Sequence, residues 1–408
     1  MKQTTCRGCG WPGLAVVLDL GEQPLANAIL KAEDLGRPEP RYPLAMAYCP
    51  ECWLVQTTEN VPPDVLFREY TYFSSVSDAF VEHSRVIAER LIAQRKLDAT
   101  SLVIELASND GYLLQHYARA GVPVLGIDPA RNIAEVATAR GVPTLAEFFT
   151  RELAVELATS GRTADVVHAN NVIAHIPDLN GFVAGIARIL KPAGVAVIET
   201  PYLRELVERL EFDTIYHEHL FYHSLTALSR VFERNGLTVV DVEAIPVHGG
   251  SLRVFAMRTG AGEQGAAVRS LFAEEAAVGL CGSEYYAAFA GRVEELGREL
   301  RAMMAALVAQ GHQIAAYGAA AKGAVLLNAF GIGTDTISFV ADRSPHKQGF
   351  LMPGVHIPIV DPDQLVARRP DECLLLAWNF AEEILAQQAE YRRLGGKFII
   401  PGPKLTLV

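Results

Sequence analysis

From residue 101 to about 258, short apolar runs alternate with stretches of helical period. Short apolar runs bounded by turn residues suit strands buried on both faces, and the stretches between them suit covering helices. The segment therefore predicts a parallel sheet flanked by helices. Its first strand is read at residues 102–106, its second at 122–127, its fourth at 164–169 and its fifth at 194–199, with a helix from 224 to 236. Ahead of it, residues 1–65 hold only brief apolar patches around Leu18, Tyr48 and Leu54, which predict short strands. The turn signal Val61-Pro62-Pro63-Asp64 closes that section. An aromatic run at 67–75 and a helical stretch ending near Gln94 follow. Residues 265–308, rich in Ala, Glu and Arg, predict a helical connection, and the last hundred residues repeat the strand–helix alternation. The expectation is an α/β protein of four sections, 1–65, 66–260, 261–310 and 311–408.

Composition changes this picture little. A chain of 408 residues has room for two or three cores, and 50% hydrophobic with 20% charged residues is ordinary for a globular protein. A formal net charge of −11 argues against nonspecific nucleic-acid binding, since no basic field would recruit phosphates. Apolar stretches break before spanning length, so no membrane helix is expected. The start Met1-Lys2-Gln3-Thr4-Thr5-Cys6 lacks the apolar core of a signal peptide. A cytoplasmic monomer is the expectation.

Cysteine spacing adds chemistry. Cys6-x-x-Cys9 and Cys49-x-x-Cys52 are two pairs whose spacing lets both thiolates of a pair face one tetrahedral metal, with Gly8 and Gly10 permitting the first turn and Pro50 and Glu51 building the second. A loop of about forty residues must close back to join them. Four thiolates read as structural zinc, with two redox pairs as the alternative. A closed four-cysteine site leaves no open position, which assigns it to folding. Cys281 and Cys373 stand alone and read as small core residues.

The first α/β section carries cofactor chemistry. Glu105 lies in the first strand, Ala107-Ser108-Asn109-Asp110-Gly111 turns into a helix, and Asp128 ends the second strand. This order looks like the S-adenosylmethionine methyltransferase pattern, in which the turn backbone approaches the methionine and ribose and the second acid accepts from the ribose hydroxyls. Neither three-glycine spacing nor a Walker lysine is present, which disfavours nicotinamide and nucleoside triphosphate here. Asn170 and Asn171, after the fourth strand, offer donors and acceptors without charge. His168 is expected in helix packing.

The densest chemistry is Tyr216-His217-Glu218-His219-Leu220-Phe221-Tyr222-His223, after the fifth strand and on the cofactor edge. Neutral imidazole suits proton removal near neutral pH. A site of three histidines holding a catalytic metal is the competing reading. Tyr222 and His223 are expected to open the next helix. In the last section, Gly318-Ala319-Ala320-Ala321-Lys322-Gly323 follows a strand. Backbone amides and Lys322 there read either as an anion site suited to a diphosphate or as a solvated helix start. Asp342 ends the next strand, and an NAD site competes. His248-Gly249-Gly250-Ser251 reads as a hairpin turn or a close approach to substrate, with Arg253 available to phosphate.

Taken in order, these motifs and Tyr70-x-Tyr72-Phe73-Ser74 resemble the bacterial nucleotide-sugar C-methyltransferases of deoxysugar biosynthesis, including those that act at carbon 3. The resemblance covers nearly the whole chain. It implies a zinc-binding module, a central Rossmann-like S-adenosylmethionine domain and a smaller C-terminal Rossmann-like domain that binds the nucleotide sugar. It further implies that His219 is the catalytic base, with Tyr216 and Glu218 beside it, and that Tyr70, Asn171 and His175 hold the sugar. Phe73 and Ser74 would join Glu105, Asn109, Asp110, Gly111, Asp128 and Asn170 around the cofactor. The chemistry agrees: a 4-keto group acidifies the carbon-3 proton, His219 would remove it, Tyr216 would donate to the enolate oxygen or relay the proton, and Glu218 would orient or polarise the imidazole. An NAD-dependent sugar-nucleotide oxidoreductase or epimerase, or a binding protein without activity, is the alternative.

Overall fold

The computed structural model describes residues 4–62, 73–247 and 249–408. Tyr70 and the aromatic run at 67–72 lie outside the described residues, as does His248. Strands β1 (Ala15–Pro24), β2 (Arg41–Tyr48) and β3 (Val55–Thr57) form an antiparallel meander. The second half of β2, Leu44 to Tyr48, is buried.

The central section supplies β4 (Val103–Leu106), β5 (Val124–Ile127), β6 (Thr144–Leu145), β7 (Ala164–Asn170), β8 (Leu190–Pro201), β9 (Phe221–Tyr222), β10 (Leu237–Ile245) and β11 (Ser251–Arg258). All but β9 build one sheet in the order β10-β11-β8-β7-β4-β5-β6. The run from β8 to β6 is parallel, and β11 inserts antiparallel between β8 and β10. The chain enters at β4, moves outward to β6 and then returns to β7 on the other side of β4. Loops after β4 and β7 therefore part, and the crevice opens at the strands' carboxyl ends. Every residue of β4 is buried, as a strand covered on both faces requires. Gly126 of β5 is needed for closeness, since a Cβ there would sit 2.5 Å from the Ser108 hydroxyl.

Helix Leu225–Arg234 illustrates how sequence becomes packing. Ser224 caps it by accepting from the Ala227 amide, and Leu225, Leu228, Val231 and Phe232 bury one stripe against the sheet. The helix thus begins after Tyr222 and His223, not at them. Tyr222 instead lies in β9, which pairs with β3 and completes the N-terminal sheet as β1-β2-β3-β9. A two-residue strand wins here because Val55 and Gln56 present an edge whose amides and carbonyls need partners.

The helical connection is two helices, Ala266–Ala277 and Ser283–Ala309, parted at Gly279, whose φ of 77° ends the first. Beyond it, β12 (Ile314–Tyr317), β13 (Ile337–Ala341), β14 (Ile359–Val360), β15 (Glu372–Leu375), β16 (Lys397–Ile400) and β17 (Thr406–Leu407) form a second sheet, ordered β14-β13-β12-β15-β16-β17. It is parallel except at β17, and its own switch point lies between β12 and β15. Leu30 bridges to Leu351 and Glu39 accepts from the Gly354 amide, which docks the N-terminal module on the C-terminal unit. No described helix is long and apolar enough to cross a membrane.

Candidate active site

The four paired cysteines converge. Their sulfurs lie within 4.8 Å of one another, with Cys6 and Cys52 at 3.5 Å and Cys9 and Cys49 at 3.6 Å. Tetrahedral coordination at about 2.3 Å from metal to sulfur places sulfurs about 3.8 Å apart, so the set fits one zinc ion. Both knuckles are formed: Gly10 (φ 79°) donates to the Cys6 carbonyl, and Trp53 donates to the Cys49 carbonyl. The neighbouring Cys52 thiol holds the Cys6 thiol down at about 5. Zinc here would be held by Cys6, Cys9, Cys49 and Cys52, all ligand positions filled by protein.

At the carboxyl ends of the central strands lies a cavity of about 810 Å³. Ser74, Asn109, Asp128, Asn170, Asn171, His175, Tyr216, Glu218, His219 and Lys322 all line it, so residues spread over 249 positions of sequence share one space. The cofactor end is built by turns. Asp128 accepts from the Asn109 amide (2.9 Å) and the Ala130 amide (2.9 Å), which ties the turn after β4 to the end of β5. Burial pushes its carboxyl above the usual range. Asn109 and Asn171 have φ of 47° and 54°, a left-handed conformation that asparagine tolerates better than most side chains. Asn170 Oδ1 and both polar atoms of Asn171 are buried with no protein partner, so the site keeps hydrogen-bonding capacity for a ligand.

Four expected cofactor residues sit around this end without lining it. Asp110 turns away to Arg140 (2.7 Å) and the Ser75 hydroxyl. Gly111 (φ 78°) lets the turn approach Val142, where a Cβ would meet a methyl at 2.9 Å. Glu105 lies beneath the floor beside Tyr112, and burial together with the Asp128 charge holds its carboxyl well above the usual range. Phe73 stays outside while its neighbour Ser74 donates its amide to Asn109 Oδ1 at 2.9 Å.

The segment leading to β9 brings Tyr216, Glu218 and His219 to the cavity. Buried Ile215 and Leu220 anchor it, Leu220 by donating to the Ala174 carbonyl and accepting from the Thr57 amide. His219 Nδ1 lies 2.9 Å from the Thr214 carbonyl. A carbonyl only accepts, so Nδ1 carries the proton and Nε2 is the basic nitrogen. The rings of Tyr216 and His175 stand 4.1 Å and 4.9 Å from the His219 ring. His175 donates from Nδ1 to the Glu218 carbonyl at 2.6 Å, and burial lowers its pKa.

Glu218 departs from the expected arrangement. Its carboxylate accepts from Asn27 Nδ2 at 2.6 Å, and the acceptor that orients His219 is the Thr214 carbonyl. The three-histidine metal reading also fails on geometry. His217 turns to the Tyr42 and Pro43 carbonyls, His223 meets the Thr200 hydroxyl, and among the described residues the one cluster fit for a metal is the four cysteines. His168 packs against Tyr117, as expected of a non-site residue.

At the far end, Lys322 heads helix Ala321–Phe330 and faces the cavity. Its Nζ is buried, 3.8 Å from Glu211 and 5.4 Å from the centre of the Trp378 ring. Asp213 accepts from Trp378 Nε1 at 2.7 Å, and burial pushes its carboxyl up to about 6. Arg253, expected at phosphate, is instead buried in ion pairs with Glu199 (2.7 Å) and Glu243 (3.1 Å) and lies off the cavity. β11 runs beside β8, so Arg253 and Glu199 are cross-strand partners.

Sequence reading missed Asn27, Glu211, Asp213, Thr214 and Trp378. Glu211 and Asp213 gave a local signal, two acids flanked by Leu210, Phe212 and Ile215. Thr214 acts through its carbonyl, and Asn27 and Trp378 reach the site only through tertiary docking, so no local pattern marks them.

Residues 6–67 match the family model of a zinc binding domain, 79–242 that of a methyltransferase domain, and 246–403 that of a C-methyltransferase C-terminal domain. The chain is 40% identical over 404 residues to the C-methyltransferase NovU of Streptomyces niveus, covering 99% of this chain and 96% of NovU. It is 33% identical over 102 residues to a ubiquinone biosynthesis O-methyltransferase of Rhizobium etli, spanning 24% of this chain and 40% of that protein. A magnesium protoporphyrin IX methyltransferase from Synechocystis, solved with bound S-adenosylmethionine, is similar at 16% identity and a TM-score of 0.35, over 47% of this chain and 86% of that one.

Proposed function

The chain belongs to the C-methyltransferase family that includes NovU, and from that premise we propose that it methylates carbon 3 of a nucleotide-linked 4-keto-6-deoxy sugar. It is an S-adenosylmethionine-dependent C-methyltransferase with a zinc-binding module. One observation carries the acceptor reading: a single cavity joins the strand-end cofactor residues, a histidine with a basic Nε2 and a lysine of a second α/β unit.

Asp128, Asn109 and Asn170 would hold the cofactor, with Phe148, Phe149 and Phe182 offering an apolar wall for its base. Bound S-adenosylmethionine would supply an electrophilic methyl group, passed from its charged sulfur to the nucleophilic carbon with the thioether S-adenosylhomocysteine as leaving group. The protein's task is to make that carbon nucleophilic. His219 Nε2 takes the carbon-3 proton, and the Thr214 carbonyl stabilises the imidazolium formed by holding its Nδ1 proton. Tyr216, whose ring lies tilted against the imidazole with centroids 4.1 Å apart, donates to the enolate oxygen. Asn171 and His175 line the same stretch and would position the sugar.

The cofactor assignment predicts that Asp128→Ala weakens S-adenosylmethionine binding by roughly 1–3 kcal/mol, through lost charge-assisted hydrogen bonds. Calorimetry measures this, and unchanged affinity would remove Asp128 from the cofactor site. The substrate assignment predicts that Lys322→Ala raises the sugar-nucleotide KM while S-adenosylmethionine affinity stays level, since Lys322 lies at the end of the cavity formed by the C-terminal unit. If neither KM nor kcat changed, Lys322 would serve only to balance Glu211. Mass spectrometry of products from a panel of 4-keto sugar nucleotides tests the acceptor itself. A product heavier by one methyl, placed on carbon 3, supports the reading. Methylation at oxygen, or of none of the panel, overturns it.

A further inference from the structure

We propose that Asn27, from the N-terminal module, is a positioning residue that holds the Glu218 carboxylate at the cavity wall beside His219. The inference rests on the proposed role of this loop in proton removal. Its basis is the way one short segment is built. Residues 25–30 read Leu-Ala-Asn-Ala-Ile-Leu, so Asn27 is the one polar side chain in an otherwise apolar strap. The strap is pinned at both ends. Pro24 pairs with Arg41 at the end of β1, and Leu30 exchanges two backbone hydrogen bonds with Leu351 of the C-terminal unit, at 3.0 and 2.8 Å. Between these anchors Ala26 is buried and Ile29 packs on the core shared by the modules. The backbone leaves Asn27 facing the cavity, where its Nδ2 donates to Glu218 Oε1 at 2.6 Å across 191 positions of sequence.

Asn27 is itself exposed, and its donor meets a carboxylate that lines the cavity. Burial disfavours the charged form of Glu218 and the Asn27 amide opposes that effect. The other titratable groups near Glu218 are Tyr216 and His219 on its own loop and His175 from the turn after β7, while His217 faces Tyr42 and Pro43. Glu211 and Lys322, farther along the cavity, pair with each other. The strap brings no charge of its own, so Asn27 acts as a hydrogen-bond donor alone.

Two measurements on the full-length, zinc-loaded protein test this. In the first, carbon-13 NMR follows the titration of the Glu218 carboxyl in glutamate-labelled protein, with Glu218→Gln identifying the resonance; no acceptor is needed. Asn27→Ala should move that titration to higher pH, because a donor to the charged form is lost. Asn27→Asp should move it further, because a second carboxylate then faces the first. In the second, turnover is measured as a cycle. Asn27→Ala should lower kcat about tenfold, as expected for losing a hydrogen bond to a charged group. It should have no further effect in the Glu218→Gln background, and S-adenosylmethionine affinity should stay at the wild-type value in each variant. An unmoved Glu218 titration, or independent losses that multiply in the double variant, would overturn the proposal. Wild-type turnover on the sugar panel reports separately on the acceptor, since the NMR titration is blind to it.

Discussion

Replacing His219 with alanine is expected to leave both ligands bound and to lower turnover by about 10²- to 10⁴-fold, the usual contribution of a positioned general base. The expectation follows from a tautomer. With Nδ1 fixed on the Thr214 carbonyl, Nε2 holds a lone pair, and His219 lines the cavity. Removing the ring deletes the base but not the cavity wall, because Ile215 and Leu220 still anchor the loop. Glu218→Gln should cost less, since it perturbs the neighbour of the base without deleting it. Tyr216→Phe separates two roles: a modest loss fits a donor to the enolate oxygen, and a loss rivalling that of His219→Ala makes the tyrosine an equal proton carrier. Exchange of the carbon-3 proton with deuterated water, run without methyl donor, isolates proton removal. Wild-type exchange in His219→Ala would place the base elsewhere, with Tyr216 the next candidate.

Removing zinc should abolish both the N-terminal sheet and the activity. Freshly purified protein should hold about one zinc per chain, and four-cysteine sites bind with apparent free energies of about 10–16 kcal/mol that are also folding energy. The coupling to activity is particular to this fold. β3 follows the second knuckle closely and pairs with β9 as Val55 with Tyr222 and Gln56 with Phe221, and the Thr57 amide donates to the Leu220 carbonyl. The loop that carries His219 is thus tied at its C-terminal end to the metal module. Asn27 and the carbonyls of Tyr42 and Pro43, which hold Glu218 and His217, come from the same module. Chelation should therefore lower melting temperature and turnover together, and zinc should restore both. Full activity in a folded, metal-free preparation would defeat the assignment.

The parallel sheets were legible because their signal is local. A strand covered on both faces must be apolar throughout, as Val103 to Leu106 nearly is, and helices such as Leu225–Arg234 carry their period in sequence. The four zinc ligands were legible for a similar reason, since two-residue spacing fixes each pair's geometry. Asp128 was placed in the same way, at the end of a strand, and it lines the cavity. Roles that depend on direction were not legible. Neighbours at 217, 218 and 219 have three destinations: the N-terminal module's carbonyls, the Asn27 amide and the cavity. In an irregular loop no period assigns a side chain to a face.

Arg253 makes the same point from the other direction. Sequence placed a guanidinium near a glycine-rich turn, and the antiparallel insertion of β11 beside β8 set it against Glu199. Buried charge is satisfied by the nearest opposite charge, and sequence does not reveal which strand will be adjacent. By itself, then, the chain's pattern determined the sheets, the four converging cysteines and the turn after the first parallel strand. Tertiary docking decided that Asn27 faces Glu218 and that Lys322 shares its cavity with Glu211. The first set is written in residues close along the chain. The second is settled only when hydrophobic burial brings distant segments together and each buried polar atom takes the partner then within reach.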